Sequence, residues 1–358
     1  MKIQSVIYSQ KKDLKLDFKP TLAFLFFEGD KEEIIKDCFK SLREINPEID
    51  VVGVNGSRGN ISNNIPFISN ENQISMLLFN CKHYVIETFC AENLEKLKVD
   101  FIKHYEYFEN SASILFFPFE YDTNQFLDYI QDDKNMHNIY GGVYDTNNDI
   151  GCFCNGEFYK NKLISVLFNQ DKIEFFSKSI HGWKPIGVSF TVTKSEKNIV
   201  YEIDGAPALQ VIEEYIGKIK QENIDKFLHP FLVEHNNIHS LASLKEINRE
   251  RKSIKFFKYL YEDEQITITI PINQQKMMNL IEKELQNIEC DGLFMFSCVG
   301  RFAYYNELLE FEIEIVADFL KVPFAGFLTF GEIGSNEIHT KSILQNQTMN
   351  LIFFKEKK

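Results

Sequence analysis

Ser297-Cys298-Val299-Gly300-Arg301 follows an apolar run and precedes a helix-like pattern, the setting in which a cysteine nucleophile is found. A thiolate forms there when a helix N-terminus or a basic neighbour lowers its pKa, and Arg301 can supply the charge. No histidine or acid stands at a spacing that pairs it with Cys298, and the commoner use of such a residue is a small buried side chain at a strand end. Arg301 has two uses as well. Its fork of donors suits a ligand carboxylate, and it suits a salt bridge to a neighbouring glutamate.

Other polar groups stand just past glycine-bearing apolar segments: Asn55, Ser57 and Arg58 in one, Asp145 in the next, Thr329 and Glu332 in a third. They either converge on a ligand or satisfy loop amides. In "NIVYEIDGAPAL" a strand stops at Asp204-Gly205 and a helix begins near Pro207; Asp204 is a carboxylate for a ligand amine or an Asx turn. His181, two residues before Trp183 and near Phe175 and Phe176, has the aromatic surroundings that an axial haem ligand needs. Trp183 counts among the ligand-binding candidates. His229, His235 and His239 form a cluster in which a spacing of four would suit zinc on a helix, but no third ligand completes it. Cys152 and Cys154 share a strand face as two thiols. "GFLTFGEIG" lacks the residues and spacing of a nucleotide fingerprint.

These residues sit on a unit that occurs three times. Each copy opens with an apolar strand: "LAFLFFEGD", "SILFFPFE" and "LFMFSCVG". An acid-rich amphipathic helix follows, with Asp30, Asp122 and Asn306 placed to cap and Glu33 placed for a capping box. A short glycine strand comes next, then a closing strand, "SMLLFN", "SVLFN" or "NLIFFK". Phe79 lies 26 residues after Gly53, Phe168 26 after Gly142, and Phe353 27 after Gly326. An insertion from about Ser177 to Cys290 separates copies two and three. It opens with a hairpin from Ile186 to Ile203, and "YEDEQITITIPI" and "NQQKMMNLIEKELQNI" read as a strand and a helix. The fold class is α+β / α/β mixed: strand–helix–strand–hairpin units forming mixed sheets covered by helices. The glycine turns are expected to gather around one shared cavity with polar groups pointing inward. Polar "KQENIDKFLHP" places a division at residues 1–221 and 222–358.

Composition narrows the function. Phenylalanine is abundant, 34 against one Trp, which calls for a large core. A formal charge of −13 argues against nucleic acid and against an anionic membrane surface, leaving a small molecule or a protein as partner. No apolar run is long enough for membrane insertion, the first residues lack a secretory h-region, and seven scattered cysteines suit a reduced cytoplasmic protein.

"GWKPIGVSFTVTKSEKNIVYEIDGAPALQVIEEYIG" resembles the end of the N-terminal half of FIST proteins. "GLFMFSCVGR", then "PFAGFLTFGEIG" and "QNQT", are similar to that family's C-terminal half. The resemblance covers nearly the whole chain. It implies a non-catalytic sensory module that binds small molecules such as amino acids, and some relatives bind haem and respond to nitric oxide, for which His181 is the ligand candidate. Family members often carry a kinase, cyclase, diguanylate-cyclase or chemoreceptor output in the same chain. None is expected within these 358 residues, so the output belongs to a separate signalling protein. The alternatives are a haem-dependent sensor through His181 and a cysteine-dependent enzyme through Cys298.

Overall fold

The structure, a computed structural model, describes residues 1–57, 60–63, 73–90, 92–131, 136–220, 229–235, 238–301, 307–335 and 341–357. One register recurs in it three times. The opening strands Leu22–Phe27, Ser111–Pro118 and Gly292–Cys298 each pair in parallel with a glycine strand: Asp50–Asn55, Ile139–Tyr144 and Phe324–Thr329. On the other side each meets its closing strand antiparallel: Ile74–Asn80, Lys162–Asn169 and Met349–Glu356. The opening strands are buried throughout and mostly apolar because both faces are covered. An outer strand, Lys2–Tyr8, Tyr84–Cys90 or Ile173–Ile180, borders each closing strand and extends the expected unit by one member.

The crossovers are the helices Glu32–Ile45, Thr123–Gln131 and Glu307–Leu320. Asp122 caps the second through Gln125 N–H at 3.0 Å. Asp30 does not cap the first, whose N-cap is Lys31, and no capping box forms with Glu33. Its carboxylate instead accepts from Ile150 N–H at 2.9 Å, tying copy one to copy two. Asn306 lies outside the described residues.

Register corrects the sequence alignment by one residue in two places. Gly53, Gly141 and Gly326 stand opposite Leu25, Leu115 and Met295. A Cβ on Gly141 would lie 1.8 Å from Leu115 O, and on Gly326 1.7 Å from Met295 O, so neither place admits a side chain. The equivalent closing residues are Phe79, Phe168 and Phe354. Gly141-Gly142 and Phe353-Phe354 are doublets, and spacing cannot choose within a doublet. The pleat can, because a slip of one residue turns every side chain to the opposite face.

The free edge of each glycine strand is completed by a different copy. Cys152–Cys154 of copy two pairs with Asp50–Asn55, Glu332–Gly334 of copy three with Ile139–Tyr144, and Asn60–Ser62 of copy one with Phe324–Thr329. Backbone bonds repeat the cycle: Asp145 N–H to Asn55 O at 2.9 Å, Phe330 N–H to Val143 O at 2.9 Å, and Ser57 N–H to Leu328 O at 3.0 Å. The three sheets thus close a ring with approximate threefold symmetry.

The inner faces of the ring meet in aromatic side chains. Phe24 lies 4.8 Å from Phe294 and 6.2 Å from Phe116 between ring centroids, and Phe26 stacks on Phe327 at 5.5 Å. Between the inner faces of the strands the described residues are therefore packed with bulky rings that interdigitate at alternate positions. Each outer face packs under helices in its own cluster.

The departure from the repeat is narrower than expected, Trp183–Pro271. It forms an antiparallel sheet in the order Ile238–Ala242, Phe231–His235, Gln265–Pro271, Trp183–Glu196, Ile199–Ile203, Ser253–Phe256 and Leu244–Asn248. The helix Ala208–Ile216 packs into the sheet's separate core. Helix Gln274–Leu285 belongs to copy three, where it packs on Glu307–Leu320 as Leu94–Tyr105 packs on Thr123–Gln131 in copy two. The 221/222 division falls at residues outside the description, 221–228, and the inserted sheet draws strands from both sides of it. This sheet docks on copy two: Tyr261 OH donates to Asp128 at 2.6 Å, Tyr259 OH to Asp122, and Tyr259 N–H to Asn124 at 3.3 Å. No described helix is long and apolar enough to cross a membrane.

Candidate functional site

Four of the residues singled out in the sequence come together at the carboxyl ends of the copy-three strands. Cys298 ends the opening strand, and Gly300 follows where a Cβ would lie 2.4 Å from Gln347 Nε2. Arg301 is fully buried; its Nη2 donates to Glu312 Oε1 at 2.6 Å and its Nη1 to Gln347 O at 3.3 Å. The salt-bridge use of Arg301 is the one realised. Glu312 comes from the following crossover helix and closes a pair in which each charge offsets the burial of the other. Burial raises the Glu312 carboxyl above its ordinary range, and Arg301 pulls it back.

Glu332 is fully buried on the strand lent to copy two. It accepts from Thr329 Oγ1, from Thr348 Oγ1 at 2.7 Å and from Thr348 N–H at 3.4 Å. Burial pushes its carboxyl up to about 7 against these bonds. Cys298 is buried too, and burial together with Glu332 pushes its thiol up to about 12. Such a thiol is not a ready nucleophile at neutral pH.

The threefold relation exposes a residue that sequence reading missed. Glu332, Cys152 and Asn60 occupy one equivalent position, opposite Gly142, Val54 and Phe327. Glu332 is answered by Thr329, and Cys152 by Tyr144 OH at 3.4 Å. The matching place in copy one is Gly56, which has no side chain. Asn60 is wholly buried, and both its amide oxygen and its amide nitrogen lack a hydrogen-bond partner among the described residues. Ser297 Oγ and Gln347 Oε1, buried in copy three, are also without a hydrogen-bond partner among the described residues. Asn60 stands seven residues after Gly53, Glu332 six after Gly326 and Cys152 eleven after Gly141, so the unequal loops hide the correspondence from any ungapped alignment.

The remaining candidates do not join this cluster. Asn55 accepts from Gly29 N–H at 3.0 Å and donates to Ile150 O at 2.7 Å, joining copies one and two. Asp145 closes an Asx turn on Asn147 N–H at 2.8 Å. Asp204, at positive φ before Gly205, is exposed and accepts from Thr191 N–H at 2.8 Å, so it fastens a hairpin. Trp183 is buried at the start of the inserted sheet, edge-on to His229 at 5.5 Å. Arg58 lies outside the described residues. Ser57 serves the ring through its backbone.

A haem would need an imidazole nitrogen free to bind iron. His181 is neutral, since burial pushes it down to about 4, but its Nδ1 accepts from Trp183 N–H at 3.3 Å. That bond places the proton on Nε2, the reverse of the usual ligating tautomer, so His181 in this arrangement does not fit the group. The zinc spacing also fails: His235 and His239 lie on paired strands, where four residues do not stack as on a helix. Among the described residues no group of three His, Cys, Asp or Glu side chains is placed to hold a metal.

Residues 21–206 match the family model described as the FIST N domain, and residues 208–335 match the FIST C domain. An uncharacterized protein of Methanocaldococcus jannaschii is 24% identical over 266 residues, covering 67% of this chain and 49% of the relative. The chain therefore spans about half the length of the curated relative it matches.

Proposed function

This chain belongs to the FIST family of sensory domains, and from that premise we propose that it binds a small, amino-acid-like molecule through Asn60 and signals through a partner protein. One observation carries the reading: a wholly buried amide offers a donor and an acceptor, and among the described residues nothing answers either. Leaving such a group unpaired costs about 1–3 kcal/mol, which a ligand carrying both an acceptor and a donor would recover. A carboxylate and an ammonium on one small molecule meet that requirement. Copies two and three support it by contrast, because Tyr144 and Thr329 close the equivalent places from within.

The proposed mode is recognition without chemistry, consistent with a Cys298 thiol held far from its reactive form. Ligand capture at the junction of copies one and three would bias a two-state arrangement that a kinase, cyclase or chemoreceptor reads. Seven unpaired cysteines suit a reducing compartment, and the proposal places the protein in the cytoplasm. The test is a thermal-shift screen of the common amino acids and small hydroxy acids, repeated on Asn60→Leu. A saturable rise in melting temperature that this substitution removes supports the site. A rise that survives it, or no rise with any compound, overturns the reading.

A further inference from the structure

Where the inserted sheet docks on copy two there is a cleft of about 300 Å³. Leu127 and Leu344 of copies two and three and Val233 of the inserted sheet give it an apolar wall. Lys258 stands in this lining, 9% exposed. Its ammonium has three donors, and among the described residues it gives one hydrogen bond, to Ser240 Oγ at 2.7 Å. No carboxylate is within ion-pair distance of it among those residues. The two acids in the lining are engaged by Tyr261, Asp128 through the phenol at 2.6 Å and Glu264 through the backbone N–H at 2.9 Å. Burial pushes Lys258 down to about 8, while Glu264 and Asp128 oppose the fall.

We propose that this cleft binds a small monocarboxylate with an apolar body, its carboxylate on Lys258 and its chain against Leu127, Val233 and Leu344. A buried ammonium with donors to spare is complemented by an anionic acceptor, and a charge-assisted bond is about twice as strong as a neutral one. The volume is at the small end of ligand pockets, which fits an acid of a few carbons. The walls come from the inserted sheet and from the ring, so an occupant would hold the two together.

The probes are straight-chain carboxylates from acetate to octanoate, with the matching carboxamides as neutral controls, measured by isothermal titration calorimetry. The expected result is saturable binding that strengthens with chain length and then falls once the cleft is filled. The carboxamides should bind at least tenfold more weakly, and Lys258→Met should lose the same factor. If that variant does not fold, the unchanged protein decides the matter: hexanoate should slow acetic anhydride modification of Lys258 and leave exposed Lys15 unaffected. Equal binding of acid and amide, unchanged binding by Lys258→Met, no protection of Lys258, or no binding by any acid in the series overturns the proposal. Because the labelling reads Lys258 itself, its result does not depend on whether Asn60 binds a ligand.

Discussion

Asn60 and Glu332 hold the same place on two lent strands, yet among the described residues Glu332 is bonded by Thr329 and Thr348 and Asn60 by none. The two residues therefore respond to substitution in opposite ways.

Asn60→Leu removes a buried amide without removing a bond. The ligand-free protein should gain about 1 kcal/mol of unfolding free energy, since the desolvation of an unpaired polar group is relieved. Chemical denaturation of both forms measures it; a loss above 1 kcal/mol would mean that the amide is satisfied in solution.

Glu332 makes stability depend on pH. Its folded pKa of about 7 lies above the ordinary carboxyl value of 4.5, so the folded state binds more protons between them. The contribution is full below pH 4.5 and is lost as pH rises through about 7, by up to about 3 kcal/mol. Glu332→Gln keeps the hydrogen-bonding shape and cannot ionise, so the difference between the two proteins should grow in the variant's favour from pH 5 to pH 8. Parallel stability curves would show that Glu332 ionises freely.

The glycines should rank by contact. Gly141→Ala and Gly326→Ala drive a Cβ into backbone oxygen at 1.8 and 1.7 Å, whereas Gly53→Ala meets side-chain and backbone atoms at 3.2–3.3 Å. The first two should cost about 3 kcal/mol or prevent folding, in the range of overpacking and strain, and the third distinctly less. Melting temperatures of the three variants test the order.

Thiol reactivity separates the cysteines. Cys90 is exposed, while Cys298 is buried with its thiol pushed up to about 12. Iodoacetamide at pH 7 should modify Cys90 and spare Cys298 in the folded protein, as read by peptide mass spectrometry. Rapid, selective loss of the Cys298 thiol would reopen a catalytic reading.

Much of this architecture was legible in the sequence. Leu22–Phe27, Ser111–Pro118 and Gly292–Cys298 announce buried strands through unbroken apolar runs, and the repeated order of elements gave the three sheets. The exchange of edge strands was not legible. Asn60–Ser62 and Glu332–Gly334 are three residues each, too short for a period to show, and placing Cys152 and Cys154 on a strand did not say which strand they border. At the site, Arg301 with a glutamate partner was foreseen as one of two uses, but that the partner is Glu312, eleven residues on, needed the helix to be in place. Asn60 was invisible because its significance is relational: it depends on Gly56 standing where Tyr144 and Thr329 stand in the other copies.

The circular lending of strands also sets a schedule for the chain as it leaves the ribosome. Copy one can complete its sheet once Tyr159 has emerged, but copy two must wait for Glu332–Gly334, nearly two hundred residues after its own glycine strand. Until Phe294, Phe296, Phe327 and Phe354 arrive, the inner rings of the first two copies have no counterpart to pack against. Nascent chains of this architecture should therefore depend on chaperone shelter late in synthesis, and slowing translation after residue 220 would lengthen that exposure rather than relieve it.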